Sequence, residues 1–294
     1  MAEIISVASG KGGVGKSFFA ANLAMSLLNL KKKILLVDGD LGGANLHNFV
    51  GMKLPGKCLY NFIREKTPIE EIILKTPAGV DFIGGAGDIL GMAHINNFEK
   101  IKILNYLRKS NYDFVVLDLG AGTSYNMIDF FNFSEKKLLI MTSEPTSIEN
   151  SYGFLKVSVY RKIEKELSLD KRFENICRNI RSRSMNYQKV SDIFEEVAKI
   201  DTLAKDKIVN IVENFSVGIV LNMLRFKKEL NVFFGFENVA KKYLSMCVEK
   251  IGFIPYDTNV GDVLRRLIPL YNSSDGEHLK GFFDDVRDVI LRKL

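Results

Sequence analysis

The feature of this chain that most limits its possible folds is a glycine-rich loop near its start. Residues 10–17 read Gly-Lys-Gly-Gly-Val-Gly-Lys-Ser, which satisfies the pattern G-x-x-x-x-G-K-[ST]. An apolar run at residues 4–8 precedes the loop and predicts a buried strand. Residues 17–30 follow it and carry apolar side chains at helical spacing. A strand, this loop and a helix in that order predict a phosphate-binding loop.

The residue types in the loop suit phosphate binding for physical reasons. Glycines let backbone N–H groups turn toward phosphate oxygens, and the following helix adds the positive end of its dipole. We expect Lys16 to reach the β- and γ-phosphates and the Ser17 hydroxyl to bind Mg²⁺. A purely structural glycine turn is the alternative. The predicted ATP-binding residues are Gly10, Lys11, Gly12, Gly13, Val14, Gly15, Lys16, Ser17 and Phe18.

Short apolar runs bounded by turn residues recur along the chain. They are nearly continuous rather than alternating, which is typical of strands buried on both faces of a parallel sheet. The segments between them are long enough for helices. The pattern predicts an α/β fold, a doubly wound, mostly parallel sheet of about seven strands with helices on both faces. The runs cover residues 4–8, 34–37, 80–83, 114–117, 138–141, 217–221 and 251–254.

One stretch breaks this alternation. Residues 156–215 contain several helical patterns and no good strand. We therefore predict one domain over residues 1–294 with a helical insertion at about residues 156–215. The insertion is basic, and its positive residues form either a solvated face or a site for a phosphate-rich or acidic partner. These residues are Lys171, Arg172, Arg178, Arg181 and Arg183.

Two other predicted strands end in aspartates. Asp118 follows the run 114–117, and Asp38 and Asp40 follow the run 34–37. The carboxyl ends of parallel strands meet at one edge of a sheet, so these side chains should lie beside the glycine-rich loop. We predict that Asp38 and Asp118, with Ser17, hold Mg²⁺. We expect Asp40 to face an attacking water. Turn or helix-capping aspartates are the alternative.

Residues 11–17, Lys-Gly-Gly-Val-Gly-Lys-Ser, resemble the deviant Walker A motif of the MinD/ParA ATPases. The resemblance covers nearly the whole chain and implies a P-loop NTPase that hydrolyses ATP with Mg²⁺ as an ATP-dependent homodimer. It implies that Lys11 crosses the dimer interface to the partner's nucleotide, as an arginine finger does. The catalytic candidates are then Lys11, Lys16 and Asp40. An exposed loop lysine is the alternative for Lys11.

The same resemblance implies further contacts around the nucleotide. Asn222 matches a position that contacts adenine, and an amide can discriminate bases because it both donates and accepts hydrogen bonds. A strand-end asparagine capping a turn is the alternative. Pro255 and Asp257 lie in a loop similar to one whose backbone approaches the base, and Gly122 lies in a loop that can close on the γ-phosphate. The family usually has proline at the position of Gly120, so we expect a more mobile switch loop.

Two segments, residues 40–47 and 142–152, look like the FlhG/FleN branch of the family. That branch controls flagellar number and placement, so the resemblance implies an FlhF-like GTPase or flagellar basal-body proteins as partners. Two alternatives remain open. One is a ParA-like ATPase that partitions DNA or other cargo, and the other is a synthetase of the same fold. The net charge of +6 permits nonspecific DNA binding.

The remaining features favour a cytoplasmic protein. The first eight residues lack a basic start followed by a long apolar region, so no signal peptide is predicted. No run approaches the roughly 18 apolar residues of a membrane span. Cys58, Cys177 and Cys247 are far apart and form no CxxC pair, which argues against a disulfide framework, a thiol-ligated metal and an iron–sulfur cluster.

The last sixteen residues, 279–294, have an apolar helical face. Such a helix either packs on its own domain, which we expect, or lies peripherally on the inner face of the cell membrane. Three aspartates on its polar side, at positions 284, 285 and 288, would be repelled by anionic lipid. We therefore do not favour membrane association for this segment.

Overall fold

The computed structural model describes residues 1–85, 95–182 and 187–294. Eight strands in these ranges form one sheet in the order β3-β4-β2-β5-β1-β6-β7-β8. Every neighbouring pair is parallel except β3 and β4, which are antiparallel. The strands are β1 (Glu3–Ala8), β2 (Ile34–Asp38), β3 (Leu74–Lys75), β4 (Asp81–Ile83), β5 (Phe114–Asp118), β6 (Lys136–Met141), β7 (Gly218–Leu224) and β8 (Glu249–Pro255).

The prediction of a mostly parallel sheet is confirmed, and each of the seven predicted runs lies on a strand. The count of about seven strands omits β3. This strand has only two residues, Leu74 and Lys75, and pairs antiparallel with β4 at the edge of the sheet. Two residues are too few to produce an apolar run, so the pattern on which the prediction rests does not exist there.

Eleven α-helices lie in the described ranges, and they follow or connect the strands. The helices are α1 (Lys16–Leu28), α2 (Leu59–Arg64), α3 (Asn97–Lys109), α4 (Tyr125–Phe133), α5 (Pro145–Leu167), α6 (Glu174–Arg181), α7 (Val190–Ala198), α8 (Thr202–Glu213), α9 (Asn231–Leu244), α10 (Val260–Arg265) and α11 (Glu277–Lys293). In the described ranges, no helix is both long enough and apolar enough to span a bilayer.

The sheet separates two hydrophobic cores because successive side chains of a strand point to opposite faces. In β1, Ile5 and Val7 join the core on the side of α1 and α11, whereas Ile4 and Ala8 join the other core. The second core includes buried side chains of α3 to α9. Helices therefore cover both faces, as the nearly continuous apolar strands require.

The segment predicted as a helical insertion starts inside a helix. Residues 145–167 form the single helix α5, so position 156 is not a boundary between elements. The helices α6, α7 and α8 follow, and they pack on α5 and on one another. The described residues between 156 and 215 contain no strand. That these helices form an insertion into a single domain remains a prediction.

The basic residues of this segment are largely paired with acids of the same segment. The ion pairs are Arg172 with Asp170 and Asp201, Arg178 with Glu174, and Arg181 with Glu164. Arg183 lies outside the described residues. Because these arginines are more than half exposed and acids of the same segment already meet their charges, the pairs favour the interpretation as a solvated face over that of an acidic-partner site.

The C-terminal helix α11 packs on the protein itself, as expected. Its apolar face is buried against α1, and the ring of Phe283 lies 5.7 Å from that of Phe18 and 5.8 Å from that of Phe19. On the same helix, the buried Arg287 donates to the backbone oxygen of Ser26 at 2.9 Å. The helix is thus part of the core rather than a free amphipathic tail.

Candidate functional site

The glycine-rich loop joins the carboxyl end of β1 to the start of α1, and two of its glycines are required by close contacts. Gly15 has φ of 81°, and a Cβ there would lie 2.2 Å from Nδ2 of Asn222. A Cβ on Gly10 would lie 2.2 Å from the carbonyl of Asn150. No side chain fits these distances, so the loop depends on glycine at both positions.

Asn222 braces the glycine-rich loop from behind. It is buried at the end of β7, and its Nδ2 donates to the backbone oxygen of Val14 at 2.8 Å. Met223, the next residue, has φ of 58°, which a residue with a side chain rarely adopts. The structure thus places Asn222 beside the loop and gives its amide nitrogen a bracing role that the sequence did not suggest. The contact of Asn222 with a base remains a prediction.

Lys16 and Asp118 form a buried ion pair at the centre of the site. Nζ of Lys16 lies 2.6 Å from Oδ1 of Asp118, and the Ser17 side chain also hydrogen-bonds this carboxylate. Burial raises the pKa of Asp118, although Lys16 and Ser17 both lower it. The structure therefore brings together the loop lysine, the hydroxyl and the β5 carboxylate, and their roles toward ATP and Mg²⁺ remain predictions.

Asp38 lies beside Asp118 because β2 and β5 pair in register at these two residues. Its Oδ1 accepts from the backbone N–H of Asp40 and its Oδ2 from that of Leu46, both at 3.1 Å. Burial, followed by the charge of Asp118, raises the pKa of Asp38 to about 7. Two neighbouring buried carboxyl groups repel each other when both are ionised, so the pair favours a cation or a shared proton.

The residues at this edge of the sheet fit Mg²⁺. The Ser17 hydroxyl and the carboxylates of Asp38 and Asp118 are hard oxygen donors, which this cation prefers. Among the described residues, no group of three or more His, Cys, Asp and Glu side chains is arranged to hold a metal. Mg²⁺ usually takes one or two carboxylates and completes its shell with phosphate and water. The donor set suits that mode rather than an all-protein site.

Asp40 lies at the rim of the site. Its Oδ1 accepts from the backbone N–H groups of Gly42 at 3.2 Å and Gly43 at 3.0 Å. A Cβ on Gly120 would lie 3.1 Å from the carboxylate carbon of Asp40. Glycine at position 120 therefore gives this carboxylate room that a proline would take. The sequence suggested mobility as the reason for Gly120, whereas the structure supplies a steric reason.

Lys11 points toward the segment that opens α5. Its Nζ lies 3.3 Å from Oε2 of Glu144 and 3.0 Å from Oγ1 of Thr146, and its side chain is 41% exposed. Glu144 and Thr146 belong to residues 142–152, the segment that resembles the FlhG/FleN branch. Sequence analysis did not connect this segment with Lys11. The residues are more than 130 positions apart, and no local pattern in the sequence indicates this contact.

The side chains of the remaining predicted residues make contacts other than those predicted for a nucleotide site. The Phe18 ring packs in the core on Phe283. Any contact of Phe18 with a nucleotide would therefore be made by its backbone atoms. Pro255 ends β8, and Asp257 accepts from the backbone of Asn259 and contacts His278 of α11. The list is completed by Gly122, which has φ of 95° in the loop between β5 and α4.

Comparison with known proteins gives a consistent picture. The family model described as ParA: NUBPL iron-transfer P-loop NTPase matches residues 1–169. Antiactivator FleN of Pseudomonas aeruginosa is 31% identical over 157 residues, 53% of this chain and 56% of the relative. Flagellum site-determining protein YlxH of Helicobacter pylori is 31% identical over 166 residues, 55% of each chain. The chain thus spans about half the length of these two relatives.

A solved structure resembles the fold along nearly the whole chain. The septum site-determining protein MinD of Pyrococcus horikoshii, complexed with Mg-ADP, superposes with a TM-score of 0.64 at 19% identity. The similarity covers 99% of this chain and 97% of that one. At this identity the comparison shows the fold, an eight-stranded sheet with helices on both faces and the glycine-rich loop after β1.

Proposed function

The chain belongs to the ParA family of P-loop NTPases, and from this premise we propose that it is an ATPase whose dimerisation depends on ATP. The observation that carries the proposal is the grouping of Lys16, Ser17, Asp38 and Asp118 at the end of the glycine-rich loop. This grouping combines a cation for phosphates with oxygen donors for Mg²⁺. The residues matched by the family model include all four.

The loop and its lysine bind the triphosphate. Backbone N–H groups at the start of α1 and the ammonium of Lys16 neutralise the β- and γ-phosphates. Ser17, Asp38 and Asp118 would hold Mg²⁺, which would offset the charge on the phosphate oxygens when bound. In this structure the Lys16 ammonium is paired with Asp118. With a nucleotide bound, the same ammonium would contact the phosphates instead.

Asp40 orients the water that attacks the γ-phosphate. Its carboxylate is fixed by the N–H groups of Gly42 and Gly43 and is only partly exposed, which limits the positions that a bound water can take. A positioned carboxylate can accept a hydrogen bond from the water and take its proton. The role does not require Asp40 to touch the metal.

Lys11 acts on the nucleotide of a second subunit. Its contact with Glu144 is an exposed ion pair, and such pairs contribute only about 0–1 kcal/mol. Leaving Glu144 therefore costs little, and the lysine is free to cross to a partner. A cation supplied in this way neutralises charge that develops on the transferred phosphoryl group.

Two substitutions test the ATPase proposal. Lys16→Ala should abolish tight ATP binding, since the phosphates lose their cation, whereas Asp40→Ala should bind ATP and hydrolyse it slowly. Lys171→Ala, on the exposed surface, is the matched control. Binding is followed by calorimetry and turnover by phosphate release. Wild-type turnover by Asp40→Ala would show that another group positions the water.

The cellular role that we propose is control of flagellar number or placement. Support comes from the names of two relatives, FleN and the flagellum site-determining protein YlxH. The partners would be an FlhF-like GTPase or basal-body proteins, met in the cytoplasm. We do not propose iron transfer, because the three cysteines lie in separate parts of the fold: Cys58 just before α2, Cys177 in α6 and Cys247 between α9 and β8.

Deletion of the gene in a flagellated host tests this role. We expect altered flagellar number or position, restored by the wild-type chain and not by Asp40→Ala. Unchanged flagellation with a segregation defect would favour the ParA-like alternative, in which case DNA binding should weaken steeply with salt. Phosphate release that requires an added carboxylate substrate would favour a synthetase.

A further inference from the structure

A cavity of about 720 Å³ lies between α3, α4 and α5, on the face of the sheet opposite α1 and α11. Part of its wall is apolar and includes Ile101, Leu104 and Phe133, and the rest is charged. The helix α4 begins just after the loop that follows Asp118. None of the residues assigned to ATP binding or hydrolysis lines this cavity.

A single buried carboxylate in the cavity wall is shared by three cations. Asp129 contacts Nζ of Lys100, Nε of Arg161 at 3.1 Å and Nζ of Lys165 at 2.7 Å. Burial alone would raise the pKa of Asp129, but the hydrogen bonds from these three side chains lower it to about 2. The carboxylate is therefore ionised at neutral pH. It is shared by three cations, one of which, Arg161, also pairs with the buried Glu164 at 2.7 Å.

A fourth cation, Lys162, adds to this excess. It lines the cavity half-buried, and within the described ranges it has no acidic partner. Burial, followed by the charge of Lys165, lowers the pKa of Lys162. The other acid of the wall, Glu166, is paired with Lys207 at 2.5 Å. The lining thus has four cations against two acids, and an anion would relieve the repulsion.

We propose that this cavity binds a phosphate monoester with an aromatic or apolar body. The phosphate lies against Lys162 and Lys165, and the body covers Ile101 and Leu104. A phosphate monoester carries a charge of about −1.5 to −2 at neutral pH, which matches the surplus of two cations in the lining. A monocarboxylate would leave half of that surplus without a counter-charge.

Calorimetry with 4-aminophenyl phosphate tests the proposal on the full chain. An excess of a nonhydrolysable ATP analogue with Mg²⁺ fills the glycine-rich loop, so binding there does not contribute. We expect one saturable site, a loss of about tenfold or more in affinity for Lys162→Gln, and near wild-type affinity for Lys162→Arg. Lys171→Gln removes an exposed charge outside the cavity and should bind as the wild type does.

A second measurement requires no variant. Mass spectrometry after brief acylation should show Lys162 labelled in the free protein and protected by 4-aminophenyl phosphate, while labelling of Lys171 does not change. The proposal is wrong if binding is not saturable, if both glutamine variants lose affinity equally, or if Lys162 is not protected. Equal affinity for 4-aminobenzoate would also overturn it, because the site would then not select a phosphate.

Discussion

Replacing Asp38 by asparagine should flatten the dependence of stability on pH. Asp38 is 1% exposed and lies in register with Asp118, and burial followed by that neighbour raises its pKa to about 7. The ordinary value is 3.8, which applies to the unfolded chain. Between these two pH values, the folded protein keeps a proton on Asp38 that the unfolded chain has lost.

The size of the effect follows from this difference in proton binding. Because the folded state holds the extra proton, the free energy of unfolding falls as the pH rises. One proton corresponds to a slope of about 1.4 kcal/mol per pH unit, so the shift from 3.8 to about 7 amounts to about 4 kcal/mol. The stabilisation of the folded state by this proton is fully present below pH 3.8 and is lost as the pH rises through about 7.

Asparagine cannot ionise and removes this slope, but it has a cost of its own. Both carboxylate oxygens of Asp38 accept backbone N–H groups, and asparagine has only one acceptor. The lost acceptor should lower stability by about 1–3 kcal/mol at every pH. The difference between two pH values, rather than stability at one pH, therefore isolates the titration of Asp38.

Urea unfolding at pH 5 and pH 7 measures this difference. Between these values the wild type should lose about 2 kcal/mol more than Asp38→Asn, because the folded protein binds nearly one extra proton at pH 5 and only about half a proton at pH 7. Glu237→Gln, an exposed acid of α9, is the control and should behave as the wild type does. If the free energy of unfolding changes equally with pH in the wild type and in Asp38→Asn, our description of the carboxylate pair is wrong.

The remaining predictions concern packing and the loop. Asp129→Asn should lower the free energy of unfolding by about 3–5 kcal/mol, because three cations lose their shared buried carboxylate; urea unfolding reports this. Phe283→Ala should lower the free energy of unfolding by about 3–5 kcal/mol in the same assay, since its ring is fully buried. A loss below about 1 kcal/mol would show that α11 is not part of the core. Gly10→Ala should weaken ATP binding at least about tenfold, because its Cβ meets Asn150, whereas Gly56→Ala, outside the site, meets no atom within 4 Å and should bind normally.

The parts of the fold that sequence analysis predicted correctly depend on local patterns. Each buried strand of β1, β2 and β5 has its own apolar run, and the glycine-rich loop is continuous in sequence. The meeting of Asp38 and Asp118 also follows from local information, because both end parallel strands. Such features require no knowledge of how helices pack.

The contacts that sequence analysis missed depend on tertiary packing. Asn222 braces Val14 across 208 positions, and Lys11 meets Glu144 across 133. The cation cluster around Asp129 exists only because α3, α4 and α5 pack together. Helix packing angles and side-chain rotamers decide such contacts, and neither leaves a pattern in the sequence.

The mass in solution with and without nucleotide tests the proposed ATP-dependent dimer most directly. Light scattering should give the monomer mass of 33.2 kDa without nucleotide. It should give twice that mass for the wild type with a nonhydrolysable ATP analogue and Mg²⁺, and for Asp40→Ala with ATP. Lys16→Ala should remain at 33.2 kDa in every condition. A mass that nucleotide does not change, in the wild type and Asp40→Ala alike, would contradict the proposal.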